Sequence, residues 1–172
     1  MALRRFDETC VQLTQGQQAD MAFESRDIVT VDEYLAMITG KTAVLIQLCT
    51  KLGARIAGQD AATIEHFAQF GRNLGLAFQM QDDILGIWGQ ESRIGKSAST
   101  DITTRKKTLP VLYGLQESPP LRTLYLQEET GEQFVANAIS LLETAGAGEF
   151  AAEKANTYST NAIENLKAAQ PN

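Results

Sequence analysis

Aromatic residues make up only 7% of the 172-residue chain; prolines number four, cysteines two and histidines one. Few aromatics, and no alternating β-branched run, argue against a sheet-built core. Cys10 and Cys49 lie too far apart for any metal-ligand spacing, which leaves two buried thiols in a reducing compartment as the expectation. Positive charge is also short: 15 Lys and Arg against 21 Asp and Glu give a net charge of −6. That balance excludes nucleic acid, and an anionic membrane, as main partner. No charged-then-apolar leader opens the chain, because Met1-Ala2-Leu3-Arg4-Arg5 runs straight into Phe6-Asp7-Glu8. The longest uncharged apolar runs fall well short of a membrane span. A cytoplasmic protein without a transmembrane segment is the expectation.

What is present is helix-forming. Hydrophobic residues make up 44% of the chain, enough for one core, so a single domain over 1–172 is expected. A helix over 1–20 is predicted from Leu3, Phe6, Cys10, Leu13 and Gln17. Thr30 and Glu33 fit a capping box. The helix that follows carries the stripe Tyr34, Ile38, Lys41, Leu45, Leu48 and Leu52. A third helix, 61–87, is read with Ile64, Phe67, Gly71, Leu74, Phe78, Asp82 and Leu85 on its core face. Gly71 and Gly75 are costly inside a helix and predict close approach of a neighbour. Residues 89–108 read as a loop, Leu109-Pro110 as a helix start, and Ser118-Pro119-Pro120 as its end. Further helices are predicted at 131–145 and 147–169. The fold class is all-α.

One stretch combines acid and base in an unusual way. Asp82-Asp83 sit inside an otherwise apolar helix, and Gly95-Lys96, Asp101 and Arg105-Lys106-Lys107 follow within two dozen residues. A carboxylate on an apolar helix face needs a cation or hydrogen-bond donors. Adjacent carboxylates about 100° apart on a helix can bind one hard cation directly and hold one of its waters. Gln79 adds an amide one turn earlier. Lys41 and Thr42 could meet the same cavity, and Lys96 and Lys106 could close over an anion. The combination suits Mg²⁺ and a diphosphate with a hydrocarbon tail, and the implied chemistry is ionisation of that diphosphate. Singly, each piece also fits an ordinary surface: a solvated Asp-Asp pair, a snorkelling Lys41, a solvated basic run. His66, one position off the apolar stripe, reads as a partly buried structural histidine.

The order of these pieces resembles the trans-prenyltransferases, the polyprenyl or isoprenyl diphosphate synthases. Gly16-Gln17…Asp20, Tyr34…Lys41-Thr42, Phe70-Gly71…Gln79…Asp82-Asp83 and Gly95-Lys96…Asp101…Lys106-Lys107-Thr108-Leu109-Pro110 follow in family order. The resemblance implies a helical bundle around a deep cavity, of the isoprenoid (terpenoid) synthase type. It also implies Mg²⁺-dependent condensation of isopentenyl diphosphate with an allylic diphosphate. By position, Asp82, Asp83 and Asp101 would serve the metal, with Asp101 supporting metal waters or a lysine. Lys41, Thr42, Gln79, Lys96 and Lys106 would serve the diphosphate; Lys41, Gln79, Asp82 and Lys96 would be catalytic.

Two departures accompany the resemblance. Gly86 stands where the family's second motif usually has a third aspartate. The likeness is also to the family's C-terminal half only, without the first aspartate-rich motif. The chain is therefore expected to be incomplete alone, needing a complementary chain with the N-terminal half, or assembling as a homo-oligomer. The alternatives are a non-catalytic regulatory or isoprenoid-binding subunit, a helical remnant without ligand, and, less in keeping with the Lys-Thr and Gly-Lys pieces, a terpene cyclase.

Overall fold

The computed structural model describes residues 2–89, 99–127 and 130–170, and these are helices joined by turns. We label them α1 (Ala2–Glu24), α2 (Val31–Ile38), α3 (Val44–Ile56), α4 (Ala61–Trp88), α5 (Thr100–Thr103), α6 (Leu109–Glu117), α7 (Pro119–Leu126), α8 (Glu132–Thr144) and α9 (Ala147–Ala168). A π-helical turn, Thr39–Ala43, joins α2 to α3. The all-α expectation holds among the described residues. Two compact units are distinguished. One comprises 1–22, 35–79 and 155–172, the other 23–34 and 80–154, so α4 contributes residues to both.

In the first unit, close packing rests on small residues. A Cβ on Gly16 would lie 2.7 Å from Gly40 C and 2.8 Å from Lys41 Cα, so only glycine lets α1 approach the π turn this closely. Gly71 and Gly75 act likewise, since Cβ atoms there would come within 2.7 Å of Ile46 O and 2.6 Å of Ala43 Cα. The close approach predicted for them is present. Ala68, Leu76 and Ala77 are buried along α4, with Ala68 fully enclosed.

The second unit has a larger apolar centre, with Ile87, Ile102, Val111, Leu121, Phe134 and Leu142 at its heart. The capping box forms in full: Thr30 N–H donates to Glu33 Oε2 at 2.9 Å, and Glu33 N–H donates to Thr30 Oγ1 at 3.2 Å. Arg26 pairs with the same carboxylate at 2.7 Å. Hydrogen bonding, first to Arg26 and then to Thr30, holds Glu33 down to about 2. Arg105, in a left-handed conformation with φ 53°, donates to Tyr125 O and Gln127 O and lies 4.6 Å from the Phe134 ring centre. It clamps the end of α7.

Several expectations change. From Leu74 onward the face of α4 read as core is exposed, although Gly71 on the same face is buried: Leu74 is 41% exposed, Phe78 61% and Leu85 39%. Asp82, placed on that face, is exposed, and its neighbour Asp83 is the buried one. The buried line runs Leu76, Met80, Asp83, Ile87, because α4 packs through its glycines and alanines and its large side chains point the other way. On α1 the stripe Leu3, Phe6, Cys10 is also exposed, and contact is made through Thr9, Gly16 and Phe23. Both cysteines are exposed: Cys10 belongs to that outer stripe, and Cys49 lies beside buried Leu48 on the outward side of α3. The extra residue of the π turn shifts the register, burying Val44 and exposing Leu45. Pro119 and Pro120 end one helix and also begin another, α7, with Ser118 as N-cap accepting from Leu121 N–H at 3.3 Å.

Among the described residues one continuous helical run, Val31–Ile56, reaches the length and mean hydropathy (1.3) of a membrane span. Its length comes from the π turn joining two shorter helices, which the apolar runs of the sequence did not show. No multi-span membrane architecture is present among those residues.

Candidate active site

The buried Asp83 organises the second unit's polar centre. Its side chain sits among apolar neighbours at 1% exposure, a costly place for a carboxylate without donors. Tyr34 donates its hydroxyl to Oδ2 at 2.7 Å, and Leu109 donates its backbone N–H at 3.1 Å. Leu109 opens α6, so Asp83 satisfies an N–H that no turn of α6 can reach. Lys106 Nζ lies 3.8 Å from Asp83 Oδ1 and 3.6 Å from Asp101 Oδ2, which places one ammonium between two carboxylates. Asp82, one residue earlier, is exposed and has no hydrogen-bond partner among the described residues. The two adjacent acids are thus unlike: one is committed to internal donors, and the other is open to a ligand.

The first unit holds a second set. Lys41, on the π turn, forms a short ion pair with Asp20 of α1; their side chains are 28% and 17% exposed. Beside it, Thr42 Oγ1 donates to Gln79 Oε1 at 2.8 Å. Lys41 also lines an open depression of about 650 Å³ with Leu13, Gln17 and Met21, an ammonium against an apolar wall. A π turn widens the helix locally and often marks a functional segment. Here it carries both Lys41 and Thr42.

The structure therefore joins Thr42 to Gln79, and Lys106 to Asp83 and Asp101. Gly95 and Lys96 lie outside the described residues. The basic run does not act as one patch, since Arg105 caps α7 and Lys106 meets the acids. Lys107 is held below the usual ammonium range mainly by burial. Asp20 and Tyr34 were not among the predicted site residues, although both stand in the motifs that carry the resemblance. Each contacts its partner across a long stretch of chain, 21 residues for Lys41 and Asp20 and 49 for Tyr34 and Asp83. No local spacing signals such pairs. His66 Nδ1 lies 3.3 Å from Asn165 Oδ1, partly buried, a structural placement as expected.

The donor set can be tested against Mg²⁺. The ion takes oxygen ligands, keeps several waters, and is commonly held by one or two carboxylates plus substrate phosphates. Asp82 offers an open carboxylate that fits this mode. No cluster of three or more metal-ligating side chains occurs among the described residues, so a closed protein cage is not formed there.

The polyprenyl synthetase family model matches residues 1–142. The chain is 40% identical over 171 residues to a (2E,6E)-farnesyl diphosphate synthase of Mycobacterium tuberculosis, covering 95% of this chain and 48% of that protein. It is 41% identical over 155 residues to a geranylgeranyl diphosphate synthase of the same organism, covering 87% and 44%. Among solved structures, a polyprenyl synthetase from Streptomyces coelicolor A3(2) matches with a TM-score of 0.88 at 36% identity, covering 97% of this chain and 53% of that one. The chain spans about half the length of the curated relatives it matches.

These comparisons correct three linked expectations: likeness to a C-terminal half only, a fold incomplete without an N-terminal half, and dependence on a complementary chain. The likeness takes in nearly the whole of this chain, and the fold matches solved chains over 97% of its length at a TM-score of 0.88 to 0.89. The chain belongs to the polyprenyl synthetase family, a family of prenyltransferases.

Proposed function

We propose that this chain is an isoprenyl diphosphate synthase, condensing isopentenyl diphosphate with an allylic diphosphate in a Mg²⁺-dependent reaction. Family membership supports the reaction class, and curated relatives named as farnesyl and geranylgeranyl diphosphate synthases support the substrate class. The observation that carries the proposal is on α4. Its outward face presents exposed Leu74 and Phe78, followed one turn later by the open carboxylate of Asp82. A hydrocarbon tail and a metal-bound diphosphate head need those surfaces in that order. A cytoplasmic location belongs to the same proposal.

In this scheme Asp82 is the direct metal ligand. Asp83 and Asp101 hold Lys106, which donates to diphosphate oxygens. Lys41, Thr42, Gln79 and Lys96 are assigned to diphosphate binding by their order in the motifs. Mg²⁺, when bound, adds charge neutralisation for the departing diphosphate. The lysines stabilise the negative charge that develops as the allylic C–O bond breaks and the leaving group takes the electron pair. The double bond of isopentenyl diphosphate then forms the new C–C bond, and a proton passes from the resulting cation to the released diphosphate. Exclusion of water would protect the cation from hydrolysis.

Calorimetric titration with inorganic diphosphate checks the binding half of this proposal. Binding is expected with Mg²⁺ present and is expected to be lost when the metal is chelated. Equal heats in both conditions would remove the metal from the scheme.

A further inference from the structure

Gly86 is the point at which this chain departs from the resembled motif, and the fold gives that departure a physical meaning. A Cβ built on Gly86 would lie 2.7 Å from Asp101 Cγ and 3.3 Å from its Oδ1, inside van der Waals contact. The carboxylate of Asp101, on α5, therefore fills the space that any side chain at position 86 would take. That carboxylate stands 3.6 Å from Lys106 Nζ, and the Asp101 side chain is only 15% exposed. Lys106 is tied to the same turn through its backbone, donating N–H to Asp101 O at 2.9 Å. Asp83, fixed by Tyr34 and Leu109, faces the ammonium from α4.

We propose that Gly86 is a positioning residue. By lacking a side chain it admits the Asp101 carboxylate against α4, and Asp101 with Asp83 then holds the Lys106 ammonium ready for a diphosphate oxygen. An aspartate at 86 would force two carboxylates into one space; this chain keeps the one from α5. A lysine fixed in this way loses less side-chain freedom on binding than a solvated one. The inference rests on the assignment of Lys106 to the diphosphate.

A double-mutant cycle over Gly86→Ala and Asp101→Ala tests it, read by thermal midpoint and by affinity for inorganic diphosphate with Mg²⁺. Alanine for glycine inside a helix ordinarily stabilises. In the natural background Gly86→Ala is expected to lower the midpoint, because it displaces Asp101. With Asp101→Ala already present it is expected to raise the midpoint by about 2–4 °C. Each single variant should bind diphosphate roughly 10-fold more weakly, and the double variant no more weakly than either, as coupled sites do. A midpoint raised in both backgrounds, additive losses of affinity, or an unchanged affinity in Gly86→Ala would each overturn the proposal. Should the natural chain hold no diphosphate, the assignment of Lys106 fails. The sign change in the midpoint still decides whether Gly86 makes room for Asp101.

Discussion

Asp83→Ala is expected to destabilise the protein by about 3 to 5 kcal/mol, the range for removing one partner of a buried, hydrogen-bonded charge pair. The substitution would take a partner from three groups together. Tyr34 Oη, in a side chain only 1% exposed, would lose its acceptor at 2.7 Å. Leu109 N–H, equally buried, would lose the carboxylate that caps α6. Lys106 would keep only Asp101 of its two carboxylate neighbours. A shift in urea midpoint at constant slope is the measurement, since a constant slope shows that stability has changed and not the extent of unfolding. Asp82→Ala, at an exposed carboxylate, is expected to stay within about 0.5 kcal/mol of the natural protein. Equal costs for the two variants would contradict the division of labour between these neighbours.

Binding reverses the order. Asp82→Ala is expected to lower Mg²⁺-dependent affinity for diphosphate roughly 100-fold, about 2.8 kcal/mol, at unchanged thermal midpoint. The reason lies in the kind of ligand the ion needs. Mg²⁺ exchanges few of its waters for protein oxygens, so one direct carboxylate carries a large share of the protein's hold on it. Asp83 cannot replace that carboxylate without releasing Tyr34 and Leu109. Asp101 is seated beside Lys106 and against Gly86. Asp82→Asn is the sharper control, because it keeps the size and removes the charge. Titration calorimetry on both variants provides the check, and affinity retained in either would remove Asp82 as the direct ligand.

Local signals were legible in the sequence wherever a short stretch carries its own physical cause. The capping box at Thr30 and Glu33, the helix start at Leu109-Pro110 and the close approach at Gly71 and Gly75 all follow from neighbours a few residues apart. What was not legible needs more than one helix. The face of α4 could not be read from its large side chains, because Gly71, Gly75 and Ala68 make the contacts and leave Leu74 and Phe78 outside. With that face exposed, the buried acid is Asp83 and not Asp82. The π turn at Thr39–Ala43 adds one residue to a helix without changing its composition, so the stripe through Lys41 drifts out of register afterwards. Arg105, Lys106 and Lys107 are consecutive in sequence, yet the first two serve a helix cap and an acid pair. Chemistry-bearing residue types were identified by their order along the chain. Which acid would bind and which would brace depends on burial, and burial is decided by the partner helix.

The most direct test of the account is a product assay: the purified chain, Mg²⁺, isopentenyl diphosphate and an allylic diphosphate such as geranyl diphosphate, analysed by mass spectrometry. A diphosphate longer by one five-carbon unit is expected, with inorganic diphosphate released in equal amount and no product when the metal is chelated or Asp82 is replaced. An intact allylic substrate after prolonged incubation, with Mg²⁺ present and the chain folded, would contradict the assignment of synthase activity to this chain.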